Sequence, residues 1–454
     1  MTLQAIAGLV GLNLLYALTG ALLVWGIRGY RTWREALRLA GLAYLLGIAC
    51  LGVAWTLLLV LGVPFGWGAI AGTMVALGLA GVAVGARLGR PRPRAGAPPR
   101  LTAMSLVAAA GVALTGLLLE ALFRAARLQP LTSWDGWAFW VPKGKALYDW
   151  GELEASLLAT IPGPSYPPVQ PLLEAAAFHA TGGPDVVTLH LQFWLLVVGF
   201  AAAAAGLLAE RVPPWLLWPS LLLALAAPRF TTSLLVPQAD VLLGILVATG
   251  ALLLARWLLE GGRWLLVSAT PLLACATLTK REGLLLAGCV YAAALATALP
   301  GRARSWRGLL ASGAVVVAAA LPWRAWYATQ GLEGELPGLE APSAGRAADA
   351  LRLSLEVVLD EGRWSLLPVV AIASVALAFG WGSRRLGAYV GLTLLLVVLG
   401  GAWVTITFPE LPVTDEESVN PVVRYTGTAI LAAACLVPLA LASAWAGRER
   451  EGGS

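Results

Sequence analysis

Ser133-Trp134-Asp135-Gly136-Trp137-Ala138-Phe139-Trp140-Val141-Pro142-Lys143-Gly144-Lys145, followed by Ser165-Tyr166-Pro167-Pro168, is a polar and aromatic interruption in a chain that otherwise reads as one apolar span after another. Two of the chain's three lysines, Lys143 and Lys145, fall here, eight and ten residues after Asp135. The third, Lys280, sits in a second compact polar group, Thr279-Lys280-Arg281-Glu282-Gly283. Arginine supplies the other 28 of the 31 basic residues, so ammonium groups are concentrated at two places in the sequence.

On either side of this interruption the composition is that of a membrane protein. Charged residues make up 12% and hydrophobic ones 59% of the 454 residues, against about 25% charged in an ordinary soluble domain. A helix needs about 20 apolar residues to cross the hydrocarbon layer. Thirteen windows qualify or nearly do: 5–27, 38–62, 65–87, 102–124, 185–209, 213–229, 237–259, 264–279, 283–300, 307–327, 364–381, 386–407 and 424–446. The windows at 213–229 and 264–279 are short and are expected to be tilted, broken or buried in the bundle. Backbone groups in lipid must pair within their own segment, so the expected fold class is an all-α polytopic membrane protein of about 13 transmembrane helices. The first span lacks a basic leading region and a small-residue cleavage site, and is read as a membrane helix rather than a signal peptide.

Charge orients these spans. With the N-terminus outside and the C-terminus cytoplasmic, 19 of the 31 basic residues fall in inner loops and helix ends, among them Arg28, Arg31, Arg34, Arg38, Arg90, Arg92, Arg94, Arg302, Arg304, Arg384 and Arg385. That is the positive-inside pattern of a cytoplasmic membrane protein. Twenty of the 25 acidic residues fall on the other side. The isoelectric point near 9.3 is therefore an orientation signal, and nucleic acid is not an expected partner. Cys50, Cys275, Cys289 and Cys435 all lie inside spans without paired spacing, and read as small core residues.

Three spans precede the Pro- and Arg-rich link Arg90-Pro91-Arg92-Pro93-Arg94 and Ala97-Pro98-Pro99-Arg100, which divides an accessory module, 1–100, from a core, 101–330, with its outer loop 125–184. A third part, 331–454, holds another outer segment and the last three spans. Trp134, Trp137, Val141 and Tyr148 fall near helical spacing, with Pro142 expected to interrupt or restart the turn, as in short helices lying in the membrane interface. Residues 169–180 read as a helix stopped by Gly182. In the outer segment of about 328–363 Leu351, Leu355, Val358 and Leu359 form an apolar stripe opposite Arg346, Asp349, Arg352, Glu356 and Asp360, again the pattern of an interfacial helix.

The candidate chemistry collects on one side. Asp135 lies at an apolar boundary, which disfavours its charged form and suits it to work as a base; the alternative is a helix N-cap, which Ser133 or Asp135 could supply. Lys143 and Lys145 are point charges fit for a phosphate, or for snorkelling from an interfacial helix. Asp240 opens a span and is either functional or a cap. Lys280, Arg281 and Glu282 occupy a turn with little room. Arg324, in Pro322-Trp323-Arg324, and Arg424-Tyr425 end or begin spans at the same outer level. A base beside an anionic lipid headgroup is what such a set would serve. No metal signature is present: there is no DxD in the outer loops and no HExxH, the only histidines are His179 and His190, and Asp415-Glu416-Glu417 reads as a solvated acidic loop.

In order and in common side, these motifs resemble the GT-C superfamily of membrane glycosyltransferases, in the family-39-like branch that includes protein mannosyltransferases and aminoarabinose transferases of lipid A. The resemblance rests on Asp135 early in the first large outer loop of the core, Tyr166-Pro167-Pro168, Lys280-Arg281-Glu282-Gly283, Pro322-Trp323 and Arg424-Tyr425. It covers about 102–330 and, more loosely, 364–446. The chain departs from the pattern where Gly136-Trp137 follows the aspartate, where tyrosine precedes the Pro-Pro pair, and where three extra helices precede the core. The resemblance implies a GT-C-like fold and an inverting, metal-independent transfer of a sugar from a polyprenyl-phosphate donor to a glycan, lipid or protein acceptor on the outer face. Asp135 would be the base. Lys143, Lys145, Lys280 and Arg424 would neutralise the departing phosphate, and Trp137 or Trp140 would stack on a sugar or pack at the membrane belt. The alternatives are a transporter or lipid flippase, a ligase using a lipid diphosphate donor, and a non-catalytic scaffold.

Overall fold

The structure is a computed structural model that describes residues 2–96, 102–234, 236–299, 306–332, 343–407 and 421–452. The acidic run Asp415-Glu416-Glu417, the prolines of Ala97-Pro98-Pro99-Arg100, and Arg302 and Arg304 of the inner-loop pattern lie outside the described residues. Among the described residues every regular element is a helix, one isolated bridge between Thr32 and Arg94 apart.

In chain order the helices are α1 (Leu3–Arg28), α2 (Trp33–Arg38), α3 (Ala40–Val60), α4 (Trp67–Arg87), α5 (Ala103–Ala126), a π-helical turn (Gly136–Trp140) that runs into α6 (Val141–Asp149), α7 (Ala155–Leu158), α8 (Val169–Thr181), α9 (Val186–Leu208), α10 (Pro214–Leu225), α11 (Pro228–Leu234), α12 (Ala239–Glu260), α13 (Arg263–Thr279), α14 (Gly283–Ala298), α15 (Trp306–Thr329), α16 (Ala344–Val358), α17 (Glu361–Trp364), α18 (Leu367–Gly380), α19 (Arg384–Thr407) and α20 (Pro421–Gly452). All thirteen apolar windows are helical. Among the described residues nine helices (α1, α3, α4, α5, α9, α12, α15, α19 and α20) are long and apolar enough to cross a membrane, and the protein is an all-helical, multi-pass membrane protein. The other four, α10, α13, α14 and α18, have 12 to 17 residues and fall short of that length. Pro219 lies inside α10 and Pro271 inside α13, where each removes one ladder hydrogen bond.

Helix α12 is the axis of the bundle. It is apolar all round, its spanning window is wholly buried, and α9, α13, α14, α19 and α20 pack against it. Gly244 of α12 lies against Leu431 of α20, where an added Cβ would come within 2.7 Å of the leucine side chain, so a small residue lets the two helices approach. Helices α1 and α3 pack on α8, α9 and α13, so the three N-terminal spans share the continuous core. A reciprocal amide pair fastens them: Asn13 Nδ2 donates to Gln192 Oε1 at 2.9 Å and Gln192 Nε2 to Asn13 Oδ1 at 3.1 Å, with the Tyr44 hydroxyl donating to the same Oδ1 at 2.6 Å. Both α5 and α15 expose large apolar side chains, such as Leu106, Leu117, Val315 and Leu321, as a lipid-facing helix requires.

Both ends of α12 carry charge networks, about 24 Å apart from Asp240 to Arg256 at 1.5 Å per residue. At the C-terminal end Arg256 joins Glu260 at 2.7 Å and Glu210 at 2.9 Å; Arg38 joins the same Glu210 at 2.6 Å, and Arg28 joins Glu35 at 2.7 Å. This network ties α1 and α2 to the turn after α9. The network at the N-terminal end of α12 is the candidate site.

The helix restarts at Pro142, as expected: the π turn ends and α6 begins at Val141, with Pro142 at its second position, where a proline loses no ladder bond. In α16 the stripe Leu351, Leu355 and Leu359 faces outward, and the helix packs inward through Ala350, Leu353, Ser354 and Val357. Helix α8 ends where expected, on Gly182 in the left-handed conformation.

Candidate functional site

Four elements bring five charged side chains together. Ser133 prepares the first: its hydroxyl oxygen accepts the Gly136 N–H at 3.3 Å and the Gln238 side-chain amide at 2.8 Å, tying the start of the π turn to the residue before α12. Ser133 thus does the capping, and Asp135, which makes no cap bond, is free to turn into the bundle. Asp240, in the first turn of α12, also makes no cap bond. Lys280 stands extended between α13 and α14. The turn is so tight that a Cβ on Gly283 would lie 1.9 Å from the Ala276 carbonyl oxygen, which only glycine permits. Arg424 lies in the first turns of α20.

The contacts form a chain of alternating sign. Arg424 Nη2 is 2.8 Å from Asp135 Oδ2, and its Nη1 is 3.9 Å from Asp240 Oδ2. Lys280 Nζ is 2.8 Å from Asp240 Oδ1 and 3.5 Å from Glu282 Oε1. The Asp135 side chain is 6% exposed and that of Lys280 2%. Burial raises the Asp135 carboxyl above its ordinary value, because desolvation outweighs the opposing pull of Arg424 and Lys280. Burial alone would lower the Lys280 ammonium, yet Asp240 and Glu282 beside it hold it above its ordinary value and keep it charged. Among the described residues Asp240 Oδ2, Glu282 Oε2 and the Tyr425 hydroxyl are buried and make no hydrogen bond, so the site has polar capacity its own side chains do not use.

A strap, Gly163 to Tyr166, closes one side. Lys143, fully buried, donates to the carbonyls of Gly163 at 2.7 Å, Pro164 at 3.3 Å and Tyr166 at 3.4 Å. The indole of Trp323 donates to the Ser165 carbonyl at 3.2 Å, and Arg281 donates to the Ser165 hydroxyl at 3.1 Å. The Tyr166 ring stacks on Phe139 at 5.5 Å on one side and lies 4.4 Å under the Arg281 guanidinium. Burial raises the Tyr166 phenol, with Glu282 adding to it and Lys280 and Arg281 opposing, so it stays a neutral donor.

The structure therefore sorts the sequence candidates. Asp135, Asp240, Lys280, Glu282 and Arg424 meet; Arg281 and Tyr166 flank them. Lys143 does not join them: its ammonium is committed to the strap carbonyls, and it positions Tyr166 rather than facing a phosphate. Lys145 is exposed on α6 and takes no part. Trp137 is 54% exposed, edge-on to Trp134 at 6.5 Å, as at a membrane belt. Tyr425 is buried, its ring against Gly400 and Gly401. Arg324 is exposed and shares a groove with Arg281. Sequence reading offered Ser133 as a cap, the role it takes here, and missed Gln238, Ser165 and Phe139, which carry no charge and have no distinctive spacing.

That groove runs from the site along α14. Its first part, about 550 Å³, has Arg281 and Arg324 at its polar end and Leu284, Leu285, Cys289 and Leu396 beyond them. The second, about 250 Å³, shares Leu284, Gly288 and Ala292 with it and continues between α14 and α15, lined almost wholly by apolar residues. On the other side of the charged chain a small cavity of about 40 Å³ touches Asp240, Arg424, Gln238 and Thr428. Among the described residues no group of three His, Cys, Asp or Glu side chains is placed to hold a metal ion. The chain matches no family model, no curated protein and no solved structure.

Proposed function

We propose that this protein is an inverting glycosyltransferase that moves a sugar from a polyprenyl-phosphate donor to an acceptor hydroxyl at the outer face of the cytoplasmic membrane, with a GT-C-like arrangement of spans and the N-terminus outside. One observation carries the reading: a buried carboxylate, Asp135, shares a charged chain with Lys280 and Arg424, next to a groove that is cationic at one end and apolar along its length. A base, cations for a phosphate and a track for a lipid chain are the three parts such a transfer needs.

In this reading the donor's phosphate sits against Lys280, Arg281 and Arg424, and its chain lies along α14. The Asp135 carboxylate takes the proton of the acceptor hydroxyl while the hydroxyl oxygen bonds to the anomeric carbon. The bond from that carbon to the phosphate oxygen breaks, and its electron pair leaves on the lipid phosphate. Arg424 must let go of Asp135 for this step, and an arriving phosphate offers it a stronger partner.

The test is native mass spectrometry of the purified protein with added polyprenyl phosphate, wild type beside Lys280→Ala and Arg424→Ala. Retention by the wild type, weakened in both variants, supports the reading and leads to transfer assays with Asp135→Asn. Lack of retention in every form removes the glycosyltransferase reading and brings transport forward.

A further inference from the structure

Away from the charged chain, α8 holds a carboxyl that the proposed chemistry does not use. Glu174 is 2% exposed, and its one hydrogen bond among the described residues comes from Gln170, one turn earlier, whose Nε2 donates to Glu174 Oε1 at 2.8 Å. The two remaining oxygens of this pair, Gln170 Oε1 and Glu174 Oε2, are both buried and, among the described residues, both lack a donor. A carboxylate and an amide oxygen cannot satisfy each other. A carboxylic acid and an amide can, because the acid supplies the missing donor.

We propose that Glu174 is a neutral carboxylic acid whose Oε2–H donates to Gln170 Oε1, closing a two-bond ring with the Gln170 Nε2 to Glu174 Oε1 bond, and that this proton seats α6 on α8 and so positions the Lys143 strap. The Asn13–Gln192 pair closes an equivalent ring between two amides elsewhere in the same core. The approach of α6 leaves no room for another partner: a Cβ on Gly144 would lie 2.7 Å from Glu174 Oε2. Gly144 is also the residue that follows Lys143, so the carboxyl bears directly on the helix that holds the strap.

Among the described residues no countercharge competes for the role. Helices α1, α3, α6, α9 and α13 pack on α8. Their titratable and charged side chains are Tyr16 and Arg28; Tyr44 and Cys50; Lys143, Lys145, Tyr148 and Asp149; His190; and Arg263 and Cys275, with His179 on α8 itself. None of them is ion-paired or hydrogen-bonded to Glu174. Burial pushes the Glu174 carboxyl up to about 8, opposed only by the Gln170 bond, so the acid form persists at neutral pH. Above that value a buried charge replaces the ring and repels Gln170 Oε1.

Infrared spectra of the full chain in lipid nanodiscs, wild type minus Glu174→Gln, test the proton. Glutamine keeps the shape and can still form a two-bond ring with Gln170, so the variant is expected to fold. The expected difference is a carboxylic-acid C=O stretch that shifts in heavy water and disappears as pH rises through about 8. Absence of that band at every pH overturns the proposal. Hydrogen exchange at 163–166, expressed as protection against the intrinsic rate at each pH, tests the positioning: protection should fall above about 8 in the wild type and stay constant in the variant. Parallel pH profiles would leave Glu174 without the positioning role and overturn that half. Neither readout depends on sugar transfer, so the two proposals fail separately.

Discussion

Arg424 and Asp135 are 289 residues apart in the chain and 2.8 Å apart in space, joined by a charge-assisted hydrogen bond. A buried pair of this kind is held in place by the penalty for breaking it. Replacing Arg424 by Met leaves Asp135 desolvated and uncompensated, and should destabilise the protein by about 3–5 kcal/mol. Adding Asp135→Asn to Arg424→Met removes the stranded charge and should return part of that loss. Thermal unfolding of the two single variants and the double variant in one detergent measures the coupling; additive losses would mean that the two groups do not interact.

Asp135→Asn should reduce sugar transfer by about 10²–10⁴-fold while leaving lipid retention intact, since the amide keeps the shape and loses the base. A pH profile adds a sign. Burial has raised the Asp135 carboxyl and Arg424 opposes that rise. Transfer needs the ionised form, so activity should climb with pH through the raised value, and this acid limb should move to higher pH in Arg424→Met. The stability contribution runs the opposite way: it is present below the ordinary carboxyl value and is lost as pH rises through the raised one.

The two lysines of the opening stretch should behave differently. Lys143→Met strands three carbonyls of the strap, with an expected loss of about 1–3 kcal/mol for the buried groups left unmet and faster hydrogen exchange at 163–166. Lys145→Ala, on the exposed side of α6, should change neither stability nor exchange. Equal effects from both would mean that Lys143 does not hold the strap.

Arg281 and Arg324 mark the cationic end of the groove. Arg324→Ala should weaken retention of polyprenyl phosphate, and Gly288→Leu, which fills the join between the two parts of the groove, should weaken it further for long chains than for short ones. Retention that ignores chain length in the Gly288 variant would place the lipid elsewhere.

What the sequence determined by itself was the class and the level of the site. Thirteen apolar windows require helices, because unpaired backbone is too costly in lipid, and all thirteen are helical. Asp135, Asp240, Lys280, Glu282 and Arg424 stood out because charge inside or beside an apolar span is rare. Their meeting point was decided by tertiary packing: α12, α13, α14 and α20 must first lie side by side before residues from four places can touch. Composition could not separate Lys143 from Lys145 either, since helical position in α6, two residues apart, sends one into the core and the other out. Glu174 was invisible for the opposite reason. In sequence it is one polar residue on a short helix, and only the approach of α6 and four other helices removes its water and makes its proton matter.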